Sequence, residues 1–149
     1  MSPVVYIGAD HAGFRLKEAL KTYLRRRKVS CRDLGCFMVD RSDDYPDIAS
    51  SLSRAVVRTR GSRGILICDS GVGVCITANK TNGIRAVHAH EEKIAVQSRR
   101  HNDANVLCIG QDYISPARAQ KIVSKWLGTS FSGDARHRRR IAKIKKMER

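Results

Sequence analysis

The run Gly64-Ile65-Leu66-Ile67-Cys68 is apolar without a break and ends at Asp69, Ser70 and Gly71. A strand carries apolar side chains at every position only when both of its faces are covered. One short segment therefore already demands layers above and below a sheet. "NVLCIG" at 105–110 and the stretch from Val4 to Gly8 repeat the pattern. Between such runs lie segments of helical spacing. Phe14, Leu20, Tyr23 and Leu24 mark one over 14–27. Tyr45-Pro46 opens another, with Ile48, Leu52, Ala55 and Val56 on one face and Pro tolerated in a first turn. Further helices are expected over 75–80, over 91–100 and from Ser115-Pro116 to about Leu127. A last one covers 136–148, with Ile141, Ile144 and Met147 on a stripe. Weaker strands are expected over 29–34, at or near an edge, and over 84–89. Residues 36–44 read as an acidic irregular loop and 128–133 as a linker. Regular β-α alternation predicts an α/β fold, a five-stranded parallel sheet with helices on both faces and a C-terminal basic helix. At 149 residues, a single domain over 1–149 is expected.

Composition narrows the function classes. No apolar run approaches the roughly 20 residues needed to cross a bilayer. The N-terminus lacks the basic start and cleavage site of a signal peptide. The five cysteines, Cys31, Cys36, Cys68, Cys75 and Cys108, are odd in number, scattered and without a CxxC pair. That pattern argues against a secreted disulfide framework, a zinc ribbon or a thioredoxin-like site, and for a cytoplasmic protein with no metal. A net charge of +15 raises nucleic acid as a partner. However, the tail "RHRRRIAKIKKMER" alone holds eight Lys or Arg against one Glu. The cluster "RRRK" at 25–28 suits a helix C-terminus, where cations face the negative dipole end. The remainder is only mildly basic, which disfavours nucleic acid and leaves solvated faces and contacts to a small anion.

In parallel α/β sheets ligands sit beyond the carboxyl ends of the strands. That rule singles out Asp10 and His11 after the first strand, and Cys68, Asp69, Ser70, Gly71, Val72 and Gly73 after the third. The glycine loop lacks the third glycine of a dinucleotide fingerprint and the GK[ST] of a P-loop. It is either a plain tight turn or an oxyanion site for something smaller than a nucleotide. His11 reads as a helix cap or as a functional group. His101 and Asn102 read as the end of a helix or as further site residues, although their segment precedes a strand. Arg136 and Arg140 share a helix face at i, i+4. They form either a solvated face or a pair able to clamp a phosphate. A thiol, two histidines, a donor loop and paired arginines together suggest proton transfer on a small phosphorylated substrate. The G-x-S-x-G of a hydrolase elbow is missing.

"GADHAGFRLK" at 8–17, "DDYPDIA" at 43–49, "GILICDSGVGVCITANK" at 64–80, "GIRA" at 83–86, "SRRHNDANVLCIG" at 98–110 and "RHRRRI" at 136–141 resemble the type B ribose 5-phosphate isomerase family. That family includes subunits of galactose 6-phosphate isomerase. The resemblance covers nearly the whole chain in order. It implies a Rossmann-like three-layer α/β/α sandwich and an aldose–ketose isomerase of carbohydrate metabolism, in the pentose phosphate pathway. The reaction interconverts ribose 5-phosphate and ribulose 5-phosphate through an enediolate and without a cofactor. It also implies a homodimer with shared active sites, able to pair into a tetramer, which would give the 100–105 segment a route to a site. Cys68 matches the base between C2 and C1, and Ser70 the residue near the reacting oxygens. The N–H groups of Gly71, Val72 and Gly73 match donors to the enediolate. His101, helped by Tyr45, matches the ring-opening group. Asp10 and Asn102 match contacts to sugar hydroxyls, and His11, Arg136 and Arg140 match phosphate ligands.

Two positions depart from the family's pattern. Asp69 stands beside the base where glycine is usual, and a carboxylate there raises a thiol's pKa if it points inward. Asp112 stands where the family carries a phosphate-binding arginine, with Arg118 and the tail arginines as substitutes. The alternatives are an isomerase of a six-carbon sugar phosphate, such as allose or galactose 6-phosphate, and a non-catalytic relative that binds sugar phosphate or nucleic acid.

Overall fold

The computed structural model describes residues 3–149; Met1 and Ser2, the first positions of the expected domain, lie outside them. The elements are β1 (Val5–Ala9), α1 (Phe14–Arg26), β2 (Cys31–Asp33), α2 (Tyr45–Arg58), β3 (Arg63–Cys68), α3 (Val72–Ala78), β4 (Ala86–His88), α4 (Glu92–Asn102), β5 (Val106–Gly110), α5 (Pro116–Gly128) and α6 (Ala135–Lys145). A single 3₁₀ turn, His11–Gly13, joins β1 to α1.

All five strands are parallel, in the order β2-β1-β3-β5-β4. The three unbroken apolar runs occupy the centre, and the polar β2 lies at one edge. Alternate side chains divide between two cores. Val5, Ile7, Ile65, Ile67, Leu107 and Ile109 face Leu16, Leu20 and Leu24 of α1 together with Ile122, Val123 and Trp126 of α5. Leu66, Cys68, Val106 and Cys108 face Leu52 and Val56 of α2 and Val74 and Ala78 of α3. Each large aliphatic side chain buried this way contributes about 1.5–3 kcal/mol. The face of α1 also buries Lys17, whose Nζ lies 2.6 Å from Asp33 Oδ2. A buried ammonium needs such a partner, so this pair ties α1 to the edge strand.

Connections that step toward β2 or back from β4 cross the face of α1, α4 and α5. Those that step the other way cross the face of α2 and α3. One crossover hand requires that division. It makes the β1/β3 junction a point where the chain departs in opposite directions, which opens a crevice at the carboxyl edge. Cys68 stands at this edge, directly beside Gly110.

Several boundaries differ from the sequence reading. α3 begins at Val72, not at residue 75, so Val72 and Gly73 belong to its first turn. α4 continues to Asn102, which makes His101 and Asn102 helical. β4 is limited to Ala86–His88, because Ile84 N–H bonds Thr81 O in a turn.

Candidate active site

The carboxyl edge is built around Cys68, which is 1% exposed. Its Sγ accepts a hydrogen bond from Gly71 N–H at 3.1 Å. That bond holds the sulfur against the start of the glycine loop. Gly71 has φ +81°, and a Cβ there would lie 2.8 Å from the Ile109 carbonyl carbon. Only glycine fits this left-handed, closely packed position. Gly73 is bare for another reason. The Tyr45 ring lies on it, and a Cβ would meet ring Cζ at 2.5 Å. That contact brings Tyr45, the first residue of α2, to the loop.

The loop's donors separate into three fates. Gly71 N–H serves the sulfur. Val72 N–H bonds Ser70 Oγ at 3.2 Å. Gly73 N–H stands in the first turn of α3, where a helix offers no acceptor four residues back. Asp69 answers the first of the two departures. It is exposed, and its Oδ1 accepts from Ser70 N–H at 2.7 Å. The carboxylate is folded onto its own loop.

Asp10, His11 and Asp43 crowd the adjoining end of β1. Asp10 is 6% exposed and caps the 3₁₀ turn by accepting from Gly13 N–H at 3.1 Å. Burial raises its pKa, and the charges of Asp43 and Asp69 add to the rise. His11 Nδ1 lies 2.5 Å from Asp43 Oδ1, which also accepts from His11 N–H at 3.2 Å. The hydrogen bond to Asp43 raises the His11 pKa. The three side chains lie within 4.8 Å of one another, a spacing a cation can use. Here, however, the imidazole is already turned onto the carboxylate, and the pair balances its charge internally.

The remaining predicted residues stand elsewhere. His101 and Asn102 form the last turn of α4, at the opposite edge of the sheet. Two guanidinium groups hold that turn. Arg85, just ahead of β4, donates to Asn102 O at 2.7 Å and to Asp103 O at 2.9 Å. Arg99 donates to Ala104 O at 2.6 Å and pairs with Asp103 Oδ1 at 2.8 Å. The His101 ring packs on that of His137, with centroids 4.6 Å apart. His137 is 4% exposed and hydrogen-bonded to Ser132 at 2.7 Å. Burial lowers its pKa, and the neighbouring His101 and Arg136 reinforce the shift. Arg136 and Arg140 flank it on α6, exposed and without an ion pair among the described residues. Strands of five or six residues separate the two edges by roughly 16 Å. One chain thus gathers Asp10, His11, Tyr45 and Cys68 to Gly73 at one edge, and His101, Asn102, Arg136 and Arg140 at the other.

Some neighbours escaped the sequence reading. His88 ends β4 and lies against Gly71, its Cδ2 2.9 Å from where a Cβ would stand. Burial and the nearby His90 lower its pKa. The strand-end rule applied to β4 would have found it. A cleft of about 440 Å³ on this flank is lined by Ser70, His88, His90, Tyr113 and Arg118. Arg118 is therefore close to the loop, while Asp112 is exposed beside it, its N–H bonding Asp69 O at 3.0 Å. His137 carried a signal as well, since it is spaced i, i+4, i+7 with Ile141 and Ile144.

A family model described as Ribose/Galactose Isomerase matches residues 5–144. The chain belongs to this family. The probable ribose-5-phosphate isomerase B of Mycoplasma pneumoniae is 42% identical over 149 residues, covering 100% of this chain and 97% of the relative. The structure of type B ribose 5-phosphate isomerase from Trypanosoma brucei matches with a TM-score of 0.94 at 41% identity, covering 99% of this chain and 100% of that one. Ribose-5-phosphate isomerase B from Mycoplasma genitalium, with bound ribulose-5-phosphate, matches with a TM-score of 0.89 at 38% identity, covering 99% and 97%. Membership makes this chain an isomerase and its sheet the family's α/β fold. Among the described residues, no helix is long and apolar enough to cross a membrane.

Proposed function

We propose that the chain interconverts ribose 5-phosphate and ribulose 5-phosphate, with Cys68 as the base. The hydrogen bond from Gly71 N–H to the Cys68 sulfur carries the reading. It holds the thiol within the donor loop, where charge developing on the substrate can be met. Cys68 removes the proton from C2 of the open-chain aldose and returns it to C1. The charge that develops on the two oxygens meets Ser70 and Gly73 N–H, with Val72 N–H released from Ser70 as substrate enters. Asp10 accepts from a sugar hydroxyl, and His11 takes the phosphate.

His101, Asn102, Arg136 and Arg140 complete this site from a second copy of the chain. His101, helped by Tyr45, opens the furanose ring; Asn102 holds a hydroxyl; the two arginines take the phosphate. Two observations support a dimer of this kind. The arginines are exposed and free of ion pairs among the described residues. Beside the loop, Tyr45 on α2 and Val72 and Ile76 on α3 expose apolar surface, Ile76 to 58%. Apolar patches of this kind mark interaction surfaces. Five free thiols suit a cytoplasmic setting.

The test is a coupled assay of the purified protein with ribose 5-phosphate and a panel of six-carbon sugar phosphates. Turnover of ribose 5-phosphate that disappears in Cys68→Ala, with the circular dichroism spectrum kept, is the expected result. No turnover of any sugar phosphate would overturn the reading, and a preference for a six-carbon substrate would reassign the sugar.

A further inference from the structure

Asp43 stands in the irregular loop ahead of α2, 32 residues from His11 in sequence. A single oxygen, Oδ1, meets both the backbone N–H and the ring Nδ1 of His11, at 3.2 and 2.5 Å. Two bonds onto one atom fix the His11 backbone and its ring plane together. Nε2 remains as the ring nitrogen without a partner among the described residues. The Asp43 side chain is only 17% exposed, and its Oδ2 is buried with no partner among the described residues. Anchoring the loop would need the backbone bond alone. The ring bond does more, because a carboxylate on Nδ1 fixes the tautomer and favours the doubly protonated ring.

We infer that Asp43 is a positioning residue for the substrate phosphate, clamping His11 so that Nε2–H is presented as a fixed and charged donor. This rests on the reading of His11 as a phosphate ligand. The charged groups around the ring are Asp10 at the end of β1 and Asp40, Arg41 and Asp43 in the loop. The Asp43 hydrogen bond is the largest influence and raises the His11 pKa, burial and Arg41 oppose it, and Asp10 adds to it; the net direction is upward. An imidazolium with a raised pKa is complete below the ordinary histidine range and is lost as pH climbs through the raised value. Phosphate affinity therefore persists to higher pH than an unpaired histidine would allow and falls as pH climbs through the raised value.

The experiment compares Asp43→Asn, His11→Ala and the double variant, using KM and kcat for ribose 5-phosphate from pH 6 to 9 and the His11 Cε1–H chemical shift. Asp43→Asn should raise KM at neutral pH by about tenfold, the worth of one charge-assisted hydrogen bond, with kcat changed far less. The midpoints of the KM profile and of the His11 titration should both move to lower pH. Asp43→Glu should recover part of each shift. In the His11→Ala background, Asp43→Asn should add nothing to KM. An unchanged His11 titration, or an equal KM rise without His11, would overturn the inference. If His11→Ala itself leaves KM unchanged, the phosphate assignment of His11 fails instead.

Discussion

The two edges of the sheet solve different problems. At the carboxyl edge several polar groups are already held by partners within the chain. Gly71 N–H holds Cys68 Sγ, Ser70 N–H holds Asp69 and His11 holds Asp43. At the other edge the backbone from Asn102 to Ala104 is clamped by Arg85 and Arg99, while Arg136 and Arg140 project into solvent without an ion pair among the described residues. In the proposed mechanism the first region is the preorganised reaction centre, and the second presents cations from a rigid base. Preorganisation matters most where charge develops during reaction, whereas a binding group need only be in reach of its anion. Substitutions in the loop from Cys68 to Gly73 should therefore act on kcat, and those at the exposed Arg136 and Arg140 on KM.

The sharpest way to break this contrast is to separate the edges genetically. Cys68→Ala and His101→Ala should each lose at least about a thousandfold in kcat, the scale of a lost acid–base group. Unfolded and refolded together in equal amounts, they should recover about a quarter of wild-type activity, because half of the random two-fold dimers carry one intact site. Recovery in the mixture, measured against each variant refolded alone, checks the claim. Two inactive partners that stay inactive when mixed would place both residues in one subunit's site.

Gly71→Ala probes the rigidity of the first edge. Its methyl group meets the Ile109 carbonyl carbon at 2.8 Å at a φ of +81°. The loop must shift, at a cost of about 1–3 kcal/mol in denaturant unfolding. A displacement near 1 Å at the sulfur should reduce kcat by about a hundredfold. Gly61 offers a control, since it has a φ of +76° but nothing within 4 Å of a Cβ. Gly61→Ala should lose stability and keep kcat. Equal effects on activity at both glycines would mean that the close approach at Gly71 is immaterial.

The second edge should respond more gently. Arg136→Ala and Arg140→Ala should each raise KM by about tenfold and leave kcat nearly unchanged. Both side chains are exposed, so unfolding free energies should stay within about 0.5 kcal/mol of wild type. A matching fall in kcat would show that these cations act on the reaction and not only on binding.

The contrast also explains what the sequence could reveal. β3 and β5 were legible because unbroken apolar runs have one meaning in a parallel sheet. The place of Cys68, Ser70 and Asp10 at the carboxyl edge was legible because each stands at or just past the end of such a run. The start of α3 was hidden, because its first turn follows a left-handed glycine and lacks a side-chain cap. The end of α4 was hidden because its caps come from other positions: Arg85 lies 17 residues from Asn102, and Arg99 reaches past the helix to Ala104. The same holds for Asp43 on His11 and Tyr45 on Gly73, where partners meet only through the fold. Strand-end chemistry is local, and its orientation is tertiary.

Asp69→Gly should have the smallest effect, and it tests whether the carboxylate beside the base opposes the reaction. In the folded loop Asp69 accepts from Ser70 N–H. Its removal frees that donor and lends the chain a glycine's entropy, so stability should fall by about 1 kcal/mol. The charge of Asp69 is one of the influences that raise the Asp10 pKa, after burial and Asp43. Without it, Asp10 ionises at lower pH. If the ionised carboxylate accepts a sugar hydroxyl, KM climbs as pH falls through the Asp10 pKa, and in Asp69→Gly that climb begins at a lower pH. Near neutral pH, kcat should stay within about threefold of wild type, since a charge turned toward the Ser70 N–H and exposed to water is strongly screened. A rise in kcat beyond tenfold would show that the carboxylate faces the enediolate, and it would move Asp69 from the loop's scaffold into the electrostatics of the reaction.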